Sequence, residues 1–301
     1  MFVIKYKKIW YAISGLLLAV SFYAIYVYGF NLSIDFKGGT ITEASYAEAR
    51  PAQSEIESKI SGLGLGGFSV RPSGESNYII RTKELSAAER EGLLSALGHP
   101  VMALSIERQN TIGPTAGAEL QGKATKAIMV VVLMIVLFIT FAFRGVSKPV
   151  SSWKYGLATV IALAHDVIIP TGIFVFFGYI SGVEIDLLFV TGLLAILGYS
   201  VHDTIVVFDR VRENLSINQE KHLSEEFETT VGKSVNQTFA RSINTSLTIF
   251  ITLLALYLFG SAATQNFALL LIIGLITGTY SSIFIASPLL VTFYKLQKSS
   301  K

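Results

Sequence analysis

Two histidine–aspartate dipeptides, His165-Asp166 and His202-Asp203, interrupt long apolar runs. Placing an Asp at the centre of a membrane helix costs roughly 2.5–3.5 kcal/mol, so such a residue is a candidate for carrying charge or protons. Neighbours in sequence point about 100° apart on a helix, so neither dipeptide is expected to form one small site. A third candidate is Arg241, followed by Asn244, Thr245, Thr248 and Thr252. This spacing traces one helical face. Lipid does not tolerate such a stripe, which should meet a neighbouring helix or a wet cavity. Asp203 and Arg241 are expected at similar depth, a switchable carboxyl beside a fixed cation.

Plainer readings compete. Ser and Thr in spans often serve as interhelical glue, and packing is the favoured reading of the stripe. Arg241 has a second reading as an interfacial anchor. His165 and His202 have one as hydrogen-bonded core residues, whereas Asp203 reads as functional before it reads as half of a structural pair. Four scattered His, no Cys and no HExxH helix argue against a metal site. An intramembrane hydrolase needs a nucleophile and base on facing helices, and no convincing set is present. No enzyme activity and no cofactor are expected.

These residues need membrane helices to position them. The 301-residue chain is 51% hydrophobic and 15% charged, against roughly a quarter charged in soluble domains, and its apolar residues fall in blocks. The net charge of +3 is too small for a nucleic-acid binder. Six stretches qualify as spans: 9–30, 127–143, 155–179, 187–208, 243–259 and 267–294. Lys5, Lys7 and Lys8 before the first, with Ala19-Val20-Ser21, also fit a signal peptide; the run continues through Tyr28, which favours an anchor. Gly274 and Gly278 form a GxxxG suited to close helix packing.

Cationic loops favour the cytoplasm. Lys5, Lys7 and Lys8, then Arg144, Lys148 and Lys154, then Arg210, Arg212, Lys221 and Lys233, then Lys295, Lys298 and Lys301 alternate correctly for both termini inside. The opposite loops, 181–186 and 260–266, hold no Lys or Arg. The expected layout is 1–30 for the N-terminus and first span and 31–125 for an extracytoplasmic domain. Spans two to six fill 126–294, with a cytoplasmic segment at about 209–242, and 295–301 form a cytoplasmic tail.

Residues 31–125 read as ordinary globular sequence. Strands are expected at 40–48, 68–71, 78–82 and 101–111, and helices at 54–60 and 86–97. Pro72-Ser73-Gly74 signals a turn, and Ser86 with Glu89 has capping-box spacing. The order β-α-β-β-α-β is the ferredoxin-like pattern, which names no function. His99, before a Pro in an expected turn, reads as structural. The fold class is thus an all-α bundle of six transmembrane helices with an α+β ferredoxin-like extracytoplasmic domain.

Several segments in order resemble one family. They are Ile34-Asp35-Phe36-Lys37-Gly38-Gly39, Ile112-Gly113-Pro114-Thr115 and Ala162-Leu163-Ala164-His165-Asp166-Val167. The most specific runs from Gly198-Tyr199-Ser200-Val201-His202-Asp203 through Phe208-Asp209-Arg210 to Val211-Arg212-Glu213-Asn214. Asn236-Gln237-Thr238 leads to Arg241, and Ser281-Ser282-Ile283 fits the last span. Over nearly its whole length the sequence resembles the SecF family of protein-export membrane proteins, of the resistance-nodulation-division superfamily.

The resemblance implies a half-bundle that pairs with SecD beside the SecYEG channel, with YajC and YidC as further candidate partners. It implies use of the proton motive force to help complete export of preproteins across the cytoplasmic membrane, after the ATP-driven stage. Asp203 and Arg241 match its proton-coupling positions. His165, Asp166, His202, Asn244, Thr245 and Thr248 are candidates for a secondary transport site, and Asp35, Gly38, Gly39, Gly113 and Pro114 carry motifs. His202 stands where other members often have Asn. Half of a small-molecule efflux transporter of the same superfamily is the alternative, and a passive structural subunit a third reading.

Overall fold

The structure is a computed structural model that describes residues 2–47, 50–98, 104–143, 150–260 and 262–299. His99, Arg144, Lys148 and Lys301, named above, and the ends of the expected strands at Glu48 and Val101 lie outside the described residues. The chain forms two units. One takes 1–31, 127–183 and 188–301; the other takes 32–126 and Glu184–Leu187.

The first unit is helical. Its elements are α1 (Phe2–Lys5), α2 (Lys7–Tyr28), α6 (Pro114–Ala142) from Ala127 onward, α7 (Ser152–Ser181), α8 (Leu187–Glu220) from Leu188 onward, α9 (Phe227–Phe259), α10 (Ala262–Ser281), a π-helical turn (Ser282–Ala286) and α11 (Ser287–Ser299). Among the described residues six helical stretches are long and apolar enough to cross a membrane, the last running Thr264–Gln297 through the π turn. The protein is therefore a multi-pass membrane protein. Helix α7 and the last span are mostly buried within the chain, whereas α6 and α9 bury little. A helix free of close neighbours in its own chain must face lipid or another protein.

The core joins Tyr155, Ala158, Ala162 and Leu163 of α7 with Leu197, Val207 and Phe208 of α8 and Leu290 of α11. A Cβ on Gly274 would overlap the Ile196 side chain, and one on Gly278 would lie 3.2 Å from Ser200 Cβ. The GxxxG thus seats α10 against α8. Pro170 lies inside α7 without ending it; its missing N–H leaves the Asp166 carbonyl without its usual helical donor.

Helices α8 and α9, of 34 and 33 residues, are about 50 Å long, against a hydrocarbon thickness of about 30 Å. Their extensions form one polar-stapled hairpin. Asn214 Nδ2 donates to Ser234 Oγ and Gln237 Oε1, both at 2.8 Å, and Asn218 Nδ2 donates to Glu225 Oε2 at 2.9 Å and Thr230 Oγ1 at 3.1 Å.

The second unit contains α3 (Ile34–Lys37), β1 (Gly39–Tyr46), α4 (Gln53–Ser61), β2 (Ser69–Ser73), β3 (Asn77–Thr82), α5 (Ala87–Leu97) and β4 (Leu104–Ile112). The antiparallel sheet has the order β2-β3-β1-β4, as the ferredoxin-like pattern requires. Ile56, Ile60, Leu93 and Leu97 of the helices pack on Ala44, Val70, Tyr78 and Ile80 of the strands. Helix α5 starts on the expected capping box of Ser86 and Glu89. The hairpin turn falls later than expected. Pro72 and Ser73 belong to β2, opposite Tyr78 and Asn77, a place open to Pro because β2 is an edge strand.

Candidate functional site

Asp203 sits on α8 with only 6% of its surface exposed. Its Oδ1 accepts a hydrogen bond from Ser242 Oγ of α9 at 2.7 Å. Its Oδ2 is buried with no hydrogen-bond partner among the described residues. Arg241 and His202 are exposed and lie within electrostatic reach of this carboxylate. Among the described residues no ion pair joins Arg241 to Asp203; the direct partner is the next residue, Ser242.

Asn244, Thr245, Thr248 and Thr252 are also exposed on α9. Among the described residues of this helical unit, none covers the stripe. Thr248 Oγ1 donates to the Asn244 carbonyl at 2.6 Å, and Thr252 Oγ1 to the Thr248 carbonyl at 3.2 Å. Hydroxyls bonded back to their own helix can lie on an uncovered face.

The other dipeptide is fully enclosed, with His165 2% and Asp166 0% exposed. Here the expectation from helical geometry fails: His165 Nδ1 lies 2.9 Å from Asp166 Oδ1. The 100° separation holds at the helix axis, but an imidazole and a carboxylate reach far enough to close the arc. Asp166 Oδ2 accepts from Ser200 Oγ of α8 at 2.5 Å and from Ser281 Oγ at the end of α10 at 2.6 Å. The His165 ring stacks on Tyr280, centroids 5.8 Å apart, while its Nε2 has no partner among the described residues.

Two further sets of hydroxyls tie the surrounding helices together. Tyr199 Oη bonds Ser246 at 2.6 Å and Thr279 at 3.2 Å, and Ser246 bonds Thr279 at 2.7 Å. Thr204 meets Ser282 at 2.8 Å, and Ser282 Oγ donates to the Ser200 carbonyl at 3.2 Å. Ser282 opens the π turn; such turns often mark functional segments. Among the described residues no group of His, Asp and Glu is arranged to hold a metal ion.

The motif residues of the second unit form a tight joint. Gly38 and Gly39 have φ of +75° and +136°, a region that favours glycine. A Cβ on Gly38 would lie 2.8 Å from Pro114 Cα, and one on Gly39 2.5 Å from the Thr82 carbonyl oxygen. Gly113 precedes Pro114, the first residue of α6, a position that suits Pro. Asp35 Oδ2 accepts from the Leu187 N–H at 3.0 Å.

Residues 95–296 match the family described as “Protein export membrane protein SecD/SecF, C-terminal”, and residues 23–49 match “SecD/SecF GG Motif”. This chain belongs to the SecD/SecF family. Protein translocase subunit SecF of Anaerolinea thermophila is 36% identical over 95% of this chain and 91% of its own. The SecF subunit of Thermobaculum terrenum is 37% identical over 97% and 93%. Among solved structures, SecDF of Thermus thermophilus, a translocon-associated membrane protein, fits with a TM-score of 0.83 at 30% identity, over 97% of this chain. SecDF in a super-membrane-facing form fits at 0.67 and 29%, over the whole chain. The chain spans 38% and 39% of those two SecDF chains. A SecF-type role in protein export follows from the named relatives.

Ser242, Ser200 and Ser281, the partners of the carboxylates, and Tyr199, which bonds Ser246 and Thr279, do not stand out in the sequence. Their only signal was position: Ser242 adjoins Arg241, and the other three lie within family segments.

Proposed function

We propose that this chain is the SecF half of a proton-driven export machine of the cytoplasmic membrane, working with a SecD half. It helps complete the passage of preproteins through the SecYEG channel after the ATP-driven stage. Both termini are cytoplasmic in this reading, and the unit built on 32–126 is on the outer side. The observation that carries it is the Asp203 carboxylate, buried among helices with one oxygen held by Ser242 and the other, without a hydrogen-bond partner among the described residues, able to take a proton.

Buried in a membrane protein, a carboxyl can exist charged or neutral, and a nearby cation biases the choice. One charge crossing the membrane potential supplies about 2.3 kcal/mol per 100 mV. That biases a two-state bundle more than tenfold, since about 1.4 kcal/mol is tenfold. Arg241, one position from Ser242, supplies the fixed cation. The exposed face of Asn244, Thr245 and Thr248 is the surface offered to the SecD half. His165, Asp166 and His202 form the secondary group, of which Asp166 holds the frame. Movement of the outer unit is the output.

Asp203→Asn keeps size and removes the charge switch. In membrane vesicles with the partner half, it should abolish the proton-driven stage and leave the ATP-driven stage and assembly intact. Normal export by this variant at several external pH values refutes the reading.

A further inference from the structure

Glu184–Leu187 lies between two membrane helices in sequence, yet it clusters with the folded unit built on Leu32–Lys126. Leu32 and Ile185 form a parallel bridge, and the Ser33 N–H donates to the Ile185 carbonyl at 2.9 Å. The Asp35 carboxylate receives the N–H of Leu187, the first residue of α8, where a negative charge suits a helix start. Arg81 Nε lies 2.9 Å from Glu184 Oε2, their side chains 21% and 12% exposed.

Arg81 sits on β3 between two paired strands. It pairs with Ile41 of β1 and Ser69 of β2, and its neighbours Ile80 and Thr82 are buried. By strand alternation Arg81 therefore points to the sheet face opposite Ile80. Burial holds the Arg81 guanidinium below its ordinary value and pushes the Glu184 carboxyl above its own. Arg81, Arg71 and Lys37 oppose the latter shift and Asp186 adds to it. A pair this enclosed is costly to break from one side, because the remaining charge stays buried.

The chain passes between the two units at 31/32, 126/127, 183/184 and 187/188. Two of these lead into α2 and α6, whose apolar stretches 9–28 and 127–142 hold no Asp, Glu, Lys, Arg or His. The pass after Leu187 leads into α8, on which Asp203 lies roughly 24 Å further along at 1.5 Å per residue. We propose that this strap couples the proton step to movement of the folded unit, and that Arg81, Glu184 and Asp35 are its positioning residues. The inference rests on the proton-coupled reading above.

The test uses the full chain with its partner half in membrane vesicles, measuring the proton-driven stage per folded copy. Arg81→Glu should slow it at least about tenfold, a loss of about 1.4 kcal/mol of coupling. Adding Glu184→Arg should restore it to within about twofold, as a re-formed ion pair requires. The chain has no cysteine, so Leu32→Cys with Ile185→Cys gives a single staple across the bridge. Oxidation of the staple should rescue Arg81→Glu, and reduction should undo the rescue. Asp203→Asn is run alongside. If Asp203→Asn exports normally, the proton reading fails. If Asp203→Asn is dead and Arg81→Glu exports normally, the strap alone fails. Should Arg81→Glu not fold, the swap and the stapled form decide: normal abundance without restored export overturns the proposal.

Discussion

The two His-Asp dipeptides are alike in sequence and opposite in structure. Asp166 has both oxygens engaged, by His165, Ser200 and Ser281. Asp203 has one oxygen on Ser242 and one without a hydrogen-bond partner among the described residues, and its neighbour His202 is exposed. Partners on three helices hold the satisfied carboxylate in one place. A half-satisfied one keeps an acceptor in reserve, at the cost of leaving it buried without a donor. The same two letters thus serve as a fastening in one helix and as a candidate switch in the next.

The largest expected effect tests the fastening. Asp166→Ala removes the acceptor for three buried donors and should cost about 3–5 kcal/mol, read as loss of folded protein and a lower thermal midpoint in detergent. If Asp203→Asn destabilises more than Asp166→Ala, the contrast is reversed and Asp203 is the structural residue. Next comes the switch: Asp203→Asn should retain normal membrane abundance while proton-driven export stops. Ser242→Ala should act in between. It strips Asp203 of its only donor among the described residues, costs about 1 kcal/mol of stability, and should slow export while shifting its dependence on external pH.

The smallest effect uses a third acid. Glu89 is satisfied like Asp166 but exposed: Lys83 and the capping Ser86 hold its carboxyl at about 2. A carboxyl depressed on folding stabilises the native state above its unfolded range, and that contribution is lost as pH falls through about 2. Ser86→Ala should cost about 1 kcal/mol, seen as faster hydrogen exchange in α5 of the full chain, with export unchanged. An export defect would show that Ser86 acts beyond capping.

Hydropathy revealed the six spans because each must present about 20 apolar residues to lipid. Strand alternation and the Ser86–Glu89 box revealed the β-α-β-β-α-β unit for equally local reasons. The partners of the carboxylates were not legible. Ser242, Ser200 and Ser281 lie 39, 34 and 115 positions from the acids they bond. The rotation of each helix about its axis, which selects Ser242 over Arg241, is decided by packing across the bundle. In the sequence, Glu184, Ile185 and Asp186 stand out only as part of a short loop free of Lys and Arg, and Leu187 opens the fourth span. An isolated bridge such as Leu32–Ile185 leaves no periodic trace in the sequence.

Thr248 and Thr252 spend their hydroxyl protons on carbonyls one turn back in their own helix. Their outward oxygens are left able to accept from whatever faces them, but bound to no particular donor. Such a surface behaves like a bearing. A facing helix, or a file of water, can shift along it by a turn and meet the same kind of oxygen again, without first breaking a bond that held it in place.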